Sequence, residues 1–270
     1  MRYKIGDVAR ILGISPDLIR YYEEKGVVSP MKDPGNNYRY YDAWDINYLI
    51  DCLWYKNFGF GLDQVAEMVT EFTYDRLIDR FEGKSVEILA AIRRQELLLA
   101  RIREYCERLG GIREYVGRCE LRHSGEFICY INRHNTTYDN RDELQRLSRE
   151  WLRYMPFTRR YFEVPEDKLF GEGDDYAWGF SLAKPYVEEF GLKVLPPVKR
   201  IQPRLCIYSA FKSAGKGKFS ARHLDFMTEY AKKNGLTTAG CAFGNLACSV
   251  IDDGQPTGYF EVWLPVTGNH

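Results

Sequence analysis

The stretch Ile5-Gly-Asp-Val-Ala-Arg-Ile-Leu-Gly-Ile-Ser-Pro-Asp-Leu-Ile-Arg-Tyr-Tyr-Glu23 predicts two short helices separated by a tight turn. In its first half, apolar residues recur at intervals of three and four, the spacing of one buried face of an amphipathic helix. Gly13 can adopt the positive φ that ends such a helix. Ser15 followed by Pro16 is typical of an N-cap and a first helical position. The stretch therefore predicts a helix-turn-helix.

The second of these helices presents polar groups to solvent. Its apolar positions, Leu18, Ile19 and Tyr22, are expected to face the core. The remaining positions carry hydroxyl, carboxyl, guanidinium and phenol groups, which suit contacts with DNA bases or phosphates. The candidate DNA-binding residues on this helix are Ser15, Asp17, Arg20 and Tyr21.

The segment after the second helix has the pattern of a β-hairpin. Gly26 is placed to end the helix, and residues 27–31 are predicted to form a short strand. Residues 32–37 are rich in turn formers, and residues 38–41 are predicted to be the returning strand. Such a hairpin is a wing beside the helix-turn-helix, and it places Tyr38 and Arg39 near a phosphate backbone.

An ordered set of residues over roughly the first seventy positions resembles the MerR family of transcriptional regulators. The set comprises Ile5-Gly6 with Ala9, Arg20-Tyr21-Tyr22-Glu23, Gly26, Pro30, Tyr38-Arg39-Tyr40 and Gly59-Phe60. The resemblance implies a dimer bound to double-stranded promoter DNA, which activates RNA polymerase by distorting the promoter. The alternative is a winged helix used only for protein contacts, since a fold does not fix a function.

Composition neither adds to nor opposes the prediction of DNA binding. The net charge of the 270 residues is zero, and residues 1–40 hold seven basic and five acidic residues. The prediction therefore rests on pattern rather than on a basic surface. The seven cysteines form no C-x-x-C pair, which indicates reduced thiols in a cytoplasmic protein. No signal peptide and no apolar run long enough for a membrane span is visible.

Two further helices are predicted after the wing. Asp42 is placed to cap a helix over residues 43–58, and a second helix is expected over residues 62–72. Lys56, near the end of the first, is a candidate phosphate contact. It is equally interpretable as a solvated cation at a helix end.

Residues 74–110 predict a long helix with a heptad-like seam, which Gly110-Gly111 is expected to end. The seam consists of Ser85, Ile88, Ile92, Gln95, Leu99, Ile102, Cys106 and Leu109. A single helix cannot bury its own seam, so it must pack on something. The MerR resemblance implies an antiparallel coiled coil in a homodimer, and the alternative is a hairpin within the chain.

The second half of the chain predicts an α+β domain in which strand-helix-strand-strand occurs twice. The predicted strands are 125–131, 160–164, 176–181, 204–211, 240–251 and 258–266, with helices over 141–155 and 220–234. The whole chain is thus expected to have a winged helix-turn-helix at 1–72, a coiled-coil helix at 74–110 and an effector domain at 120–270.

The closing strand combines an acid with aromatic residues. Alternation along Gly258-Tyr-Phe-Glu-Val-Trp-Leu-Pro-Val266 places Tyr259, Glu261 and Trp263 on one face. This strand and the doubled topology resemble the GyrI-like effector-binding domain that follows the MerR module in multidrug-responsive regulators. The resemblance implies that Glu261 lies in an aromatic cavity and contacts lipophilic, cationic ligands. The candidate cavity walls are Trp151, Tyr154, Phe162, Trp178, Phe180, Tyr208 and Phe243.

Three alternatives for the second half stay open at this point. Glu261 is otherwise an ordinary paired acid on an exposed strand, because acids on strands usually face water. GyrI-like domains also resemble small hydrolases, in which Glu261 would act as a base. Some MerR relatives sense metals through thiols, but Cys106 and Cys119 do not match that spacing, so neither a metal site nor a cofactor is predicted.

Overall fold

The computed structural model describes residues 2–35, 38–170, 175–215 and 218–268. The chain divides into two compact units, Met1–Arg93 and Arg94–His270. Asn36 and Asn37, the last residues of the predicted wing turn, lie outside the described residues.

The first unit consists of helices and a small antiparallel sheet. Its elements are β1 (Tyr3–Lys4), α1 (Ile5–Leu12), α2 (Pro16–Glu24), β2 (Met31–Lys32), β3 (Arg39–Tyr41), α3 (Ala43–Asn57), α4 (Leu62–Thr70) and the beginning of α5 (Tyr74–Ile112). The predicted helix-turn-helix and hairpin are confirmed, with Met31 paired to Tyr40. The sheet has the order β1-β3-β2. The sequence analysis missed β1, which is two residues long, and predicted a longer β2.

Local capping explains the start and end of these helices. Gly13 ends α1 with φ 67°, a conformation that favours glycine. The Ser15 hydroxyl accepts a hydrogen bond of 3.2 Å from the Leu18 amide and so caps α2. Asp42 caps α3 by accepting from the amides of Trp44 and Asp45 at 2.7 and 2.9 Å. Each signal lies within a few residues of the turn that it determines.

The second unit is built on a ten-stranded antiparallel sheet. Its strands are β4 (Glu120–His123), β5 (Phe127–His134), β6 (Thr137–Tyr138), β7 (Arg159–Val164), β8 (Ala177–Ala183), β9 (Lys199–Ile201), β10 (Leu205–Ala214), β11 (Leu236–Thr238), β12 (Ala242–Asp252) and β13 (Gln255–Gly268). Its helices besides the end of α5 are α6 (Asp142–Leu152), α7 (Glu166–Phe170), α8 (Lys184–Glu189) and α9 (Asp225–Lys233). The main order is β4-β10-β13-β12-β7-β8-β5-β6. The predicted doubled strand-helix-strand-strand topology is confirmed as β5-α6-β7-β8 and β10-α9-β12-β13.

Helix α5 continues past the point where it was predicted to end. Gly110 and Gly111 lie inside the helix, which reaches Ile112. A helical glycine costs about 1 kcal/mol relative to alanine. Ile112 is buried in a cluster with Ala210 and Tyr259, and burial of this side chain offsets that cost. The prediction that these glycines end the helix was wrong because tertiary packing outweighed local propensity.

The two faces of β13 bury different kinds of side chain. Phe260, Val262 and Leu264 lie in the core beneath α9, and we call this side of the sheet the helix face. Glu261 lies on the other side, which we call the Glu261 face, as alternation along a strand requires. The strands β12 and β13 approach closely at Gly244. A Cβ on this residue would lie 2.0 Å from the carbonyl oxygen of Glu261. Among the described residues, no helix is sufficiently long and apolar to cross a membrane.

Candidate functional site

The recognition-helix candidates lie at the exposed start of α2. The side chains of Asp17 and Arg20 are 86% and 54% exposed and form an i,i+3 ion pair. Such a pair contributes little to stability in water. Arg20 can therefore exchange Asp17 for a phosphate or a base edge. Tyr22, which was expected in the core, is fully buried.

A basic cleft lies beside α2. Its volume is about 830 Å³, and its lining includes Arg20, Tyr38 and Arg39, three of the predicted DNA-binding residues. The other described residues that line it are Lys4, Ile5, Gly6, Asp7 and Arg10. Four cations and one carboxylate line the cleft. Arg10, Arg20 and Arg39 are each paired with an acid, so the cleft brings basic side chains together although its net charge stays small. Lys4 and Arg10 were missed because they precede or belong to α1, outside the recognition helix.

Arg39 is held in position by an acid of α2. Its Nε donates to Glu23 Oε1 at 2.8 Å, and the Tyr41 hydroxyl donates to the other Glu23 oxygen at 3.4 Å. The ion pair raises the pKa of the Arg39 guanidinium, mainly through the hydrogen bond to Glu23. Wing and recognition helix are thus joined through side chains of β3 and α2.

Tyr21 contacts α4 and is not among the described residues that line the basic cleft. Its hydroxyl donates to Asp63 of α4 at 2.8 Å, and Lys25 pairs with the same carboxylate at 2.7 Å. Burial and then the hydrogen bond to Asp63 raise the pKa of Tyr21. Lys56 is exposed near the end of α3. Neither it nor Ser15 is among the described residues that line the basic cleft.

On the Glu261 face, the carboxylate is already paired with a cation of α5. Arg108 Nε donates to Glu261 Oε1 at 3.2 Å, and a second guanidinium nitrogen contacts the other carboxylate oxygen. The Tyr208 hydroxyl donates to Oε1 at 3.4 Å. The side chains of Arg108 and Glu261 are only 17% and 12% exposed. A bidentate guanidinium–carboxylate pair of this kind is among the stronger polar contacts in proteins.

A cavity of about 400 Å³ surrounds this pair, and we call it the Glu261 cavity. Its described lining consists of Glu107, Arg108, Gly111, Ile112, Tyr115, Arg122, Arg159, Tyr208, Asn245, Glu261 and Trp263. The rings of Tyr208 and Trp263 are 4.5 Å apart. Arg122 lies 4.6 Å from the ring centroids of both Tyr115 and Tyr208. The cavity therefore offers aromatic faces of the kind that bind cations.

Buried arginines and carboxylates lie side by side next to this cavity. Glu104 of α5 pairs with both Arg101 and Arg159, so Arg101, Arg108 and Arg159 share the carboxylates of Glu104 and Glu261. Burial, followed by the charges of Arg108 and Arg101, lowers the pKa of Arg159 to about 9. Burial and then the charge of Arg101 lower the pKa of Arg108. The region already holds as much positive charge as its carboxylates can compensate.

The predicted cavity walls separate into two groups. Tyr208 and Trp263 line the Glu261 cavity, and Phe243 is paired in register with Trp263 on the same face. Tyr259 also lies on this face but packs against Ile112, with its hydroxyl donating to Asp252.

The remaining predicted walls lie away from Glu261. Trp151 packs edge-on against Tyr130, and Tyr154 stacks on Phe190. Phe162 belongs to the core of the helix face. Trp178 contacts Phe162, and Phe180 contacts Tyr130. The aromatic character of these residues was visible in the sequence, but the strand register that assigns them to a face was not.

Of the eight described lining residues of the Glu261 cavity that were not predicted from the sequence, three are arginines. Arg108 is separated from Glu261 by 153 positions, and no local pattern relates the two. Arg108 does lie off the predicted seam of α5, which marks it as available for a contact other than the coiled coil. No pattern in the sequence marked Arg122 or Arg159 as residues of this cavity.

Two of the seven thiols, Cys129 and Cys206, belong to one small buried cluster. In the part of the chain that the structure describes, no three His, Cys, Asp or Glu residues come close enough to hold a metal ion. Cys106 is exposed on α5, whereas Cys129 and Cys206 are buried. Burial raises the pKa of Cys129 to about 12 and that of Cys206 to about 11. These two thiols are poor nucleophiles in the folded protein.

Comparison with known proteins finds a family match within the first unit. Residues 3–71 match the model of the MerR HTH family of regulatory proteins. The transcriptional regulator CueR of Escherichia coli O6:H1 is 40% identical over 68 residues, which are 25% of this chain and 50% of CueR. The transcriptional activator mta of Bacillus subtilis is 27% identical over 147 residues, 54% of this chain and 55% of mta. The chain thus spans about half the length of these curated relatives.

A solved structure extends the comparison over the second unit. The EcmrR chain in an EcmrR–DNA complex is 15% identical, with 99% of this chain and all of that chain covered at a TM-score of 0.39. A similarity of this size supports no inference about the second unit. The match of residues 3–71 covers α1 to α4 and the sheet β1-β3-β2. These residues belong to the MerR HTH family of regulatory proteins.

Proposed function

We propose that the chain is a ligand-responsive transcriptional regulator. It binds double-stranded promoter DNA as a homodimer in the cytoplasm, and it activates RNA polymerase there by distorting the promoter. A small lipophilic cation, bound at Glu261, is the signal. The observation that carries the proposal is the basic cleft beside a recognition helix of MerR type, together with a buried carboxylate already paired with a cation.

The basic cleft supports DNA binding. Arg20 and Arg39 come from the recognition helix and the wing, and Lys4 and Arg10 extend the positive surface. Contacts between guanidinium groups and phosphates position a protein on DNA, and they make binding fall steeply with salt. Ser15, Asp17, Tyr21 and Lys56 remain candidate DNA contacts outside the described lining of the cleft.

The exposed seam of α5 supports a homodimer. Ile88, Ile92, Leu99 and Ile102 are each about half exposed, at 46, 49, 49 and 50%. They share one side of the helix, and a large apolar side chain in each of these positions is typical of a coiled-coil surface. A second copy of α5 would bury them and set two recognition helices at a fixed separation, so that the operator is a pseudo-palindrome.

The Glu261 cavity supports a cationic ligand. The carboxylate is largely removed from water, Trp263 and Tyr208 provide aromatic faces, and Arg108 shows that a planar cation can be held there. A lipophilic cation would take the place of the Arg108 guanidinium. It would gain contact with the aromatic rings in addition to the charge. In this proposal Arg108 is the resting occupant of the ligand site.

The energy of such an exchange is sufficient to change promoter geometry. Bending or twisting a DNA site of this length costs about 1–6 kcal/mol. A ligand shifts an equilibrium between two protein–DNA states by its difference in affinity for them. A difference of a few kcal/mol, about 100-fold in affinity, is then enough.

The experiment is footprinting of the full chain on the promoter upstream of its own gene, with and without a panel of lipophilic cations. We expect a protected pseudo-palindrome and a change of the footprint with at least one cation. Arg20→Ala should weaken operator binding and reduce its salt dependence. Arg146→Ala removes an equally exposed arginine from α6 and should change neither.

Glu261→Gln separates the ligand part of the proposal from the DNA part. This variant should bind the operator with nearly unchanged affinity and lose the response to the cation. A footprint that no member of the panel alters would refute the ligand assignment, and absence of any protected site would refute the regulator itself.

A further inference from the structure

A second cleft lies on the helix face of the same sheet, away from Glu261. Its volume is about 680 Å³, within the range of small-molecule sites. Tyr176, Trp178, Phe219 and Phe260 form its aromatic wall. Phe219 is central, with ring centroids 4.8 Å from Tyr176 and 5.1 Å from Trp178. We call this the Trp178 cleft.

Two N–H groups in the lining of this cleft have no acceptor. Nε of Arg133 and Nε1 of Trp178 are both shielded from solvent, and in the described part of the chain neither has a hydrogen-bond partner. Buried polar groups in folded proteins are nearly always hydrogen-bonded. Because neither atom is reached by solvent, a ligand in the cleft would supply the missing acceptor only after a small rotation of these side chains.

All the charged side chains among the described residues that line the cleft are basic. Arg133 and Lys218 are the charged side chains among the described residues that line it. The Arg133 guanidinium lies 5.2 Å from the Trp178 ring and 5.5 Å from the Tyr138 ring, so its nearest described partners are aromatic. Burial and then the charge of Arg133 lower the pKa of the neighbouring Arg160. An anion in the cleft would compensate a charge that the described residues leave uncompensated.

We propose that the Trp178 cleft is a second ligand site, specific for a small aromatic carboxylate. The carboxylate accepts hydrogen bonds from the terminal nitrogens of Arg133, and a rotation of Trp178 brings the indole N–H to it, with Lys218 adding positive charge at the cleft. The ring of the ligand packs against Trp178 and Phe260. Arginine binds carboxylates with two parallel hydrogen bonds, and this gives the site its preference for an anion.

This site differs from the Glu261 cavity in both location and charge. Phe260 and Glu261 are neighbours on β13 and project to opposite faces of the sheet. The Glu261 cavity contains a carboxylate and accepts a cation, whereas the Trp178 cleft has only cations among its described charged lining residues. The proposal does not depend on DNA binding or on a response to lipophilic cations.

The test is calorimetric titration of the full chain with 2-naphthoate as the probe. We expect saturable binding of one molecule per chain. The neutral 2-naphthamide should bind about tenfold more weakly or worse, since a hydrogen bond to a charged group is lost. Arg133→Gln should cause a similar loss. Trp178→Phe keeps an aromatic ring, removes the indole donor and should cause a smaller loss.

Three control variants make the result specific. Arg146→Gln removes an exposed arginine elsewhere and should leave the affinity unchanged. Glu261→Gln should also leave it unchanged, which distinguishes this site from the Glu261 cavity. Arg133→Lys keeps the charge but not the paired donors, and it should bind with intermediate affinity even if Arg133→Gln does not fold. Thermal unfolding verifies that each variant is folded.

The proposal is overturned by any of three results. These are no saturable binding of 2-naphthoate to the wild-type chain, equal affinity for a 2-naphthyltrimethylammonium cation, or an unchanged affinity in both Arg133 variants.

Discussion

Replacing Arg108 by glutamine removes the resting occupant of the Glu261 cavity. Both partners of the pair are mostly buried, with side chains 17% and 12% exposed. Loss of one partner of a buried pair costs about 3–5 kcal/mol, because the remaining charge is uncompensated. Because both side chains keep some exposure, the cost should lie at the low end of this range, about 3 kcal/mol. Arg108→Gln should therefore lower the stability of the unliganded protein and reduce its melting temperature by several degrees.

A cation that binds Glu261 recovers this energy in the variant but not in the wild type, where it must first displace Arg108. The expected result is an increase in cation affinity of up to about 100-fold, the equivalent of about 3 kcal/mol. Calorimetric titration with tetraphenylphosphonium measures it, with thermal unfolding in parallel. Arg108→Lys retains a cation at this position and should bind like the wild type. If Arg108→Gln binds the phosphonium no more tightly than the wild type does, displacement of Arg108 is refuted.

Four further predictions address the dimer, the fold and the thiols. Leu99→Glu should raise the dimer dissociation constant at least about 100-fold in sedimentation analysis, since each buried leucine contributes about 1.5–3 kcal/mol and a symmetric dimer loses two. Ala90→Glu, on the opposite side of α5, should not. Gly244→Ala places a Cβ 2.0 Å from a backbone oxygen and should destabilise the protein by about 3 kcal/mol in urea unfolding. Gly110→Ala has open space within the helix and should stabilise it by about 0.5–1 kcal/mol. The Cys129 thiol has its pKa raised to about 12 by burial, so it should resist alkylation at pH 8 until the protein is denatured, as read by peptide mass spectrometry.

The parts of the fold that the sequence predicted well are those with local causes. Gly13 and Ser15 determine their turn through bonds within three or four residues, and the structure shows both capping contacts where the pattern placed them. Alternation along β13 likewise depends only on strand geometry. Neither prediction needed information about the rest of the chain.

The parts that could not be predicted depend on contacts between distant segments. The end of α5 was placed at Gly110 because glycine usually ends helices, but packing of Ile112 against Ala210 decides it. Trp178 was grouped with Glu261 because both are suited to bind a cation. Its face is fixed by the pairing of β8 with β7 and β5, which has no signature in composition.

The count of charges around Glu261 constrains how a ligand can act. Arg101, Arg108 and Arg159 share two carboxylates, and their crowding and burial already lower the pKa of Arg159 to about 9. Arg122 and Glu107 also line the cavity, so an added cation would meet more arginines than carboxylates in the lining, and we expect a cationic ligand to replace Arg108 rather than join it. A displaced guanidinium has to regain hydration, because leaving it buried and unpaired costs several kcal/mol. Arg108 belongs to α5, the helix that carries the predicted dimer seam. Expulsion of its side chain therefore requires either a new rotamer that reaches water or a shift of the end of α5, and only the shift would alter the seam. A ligand response that survives Arg108→Gln but loses its effect on DNA would identify the shift of α5 as the step that transmits the signal.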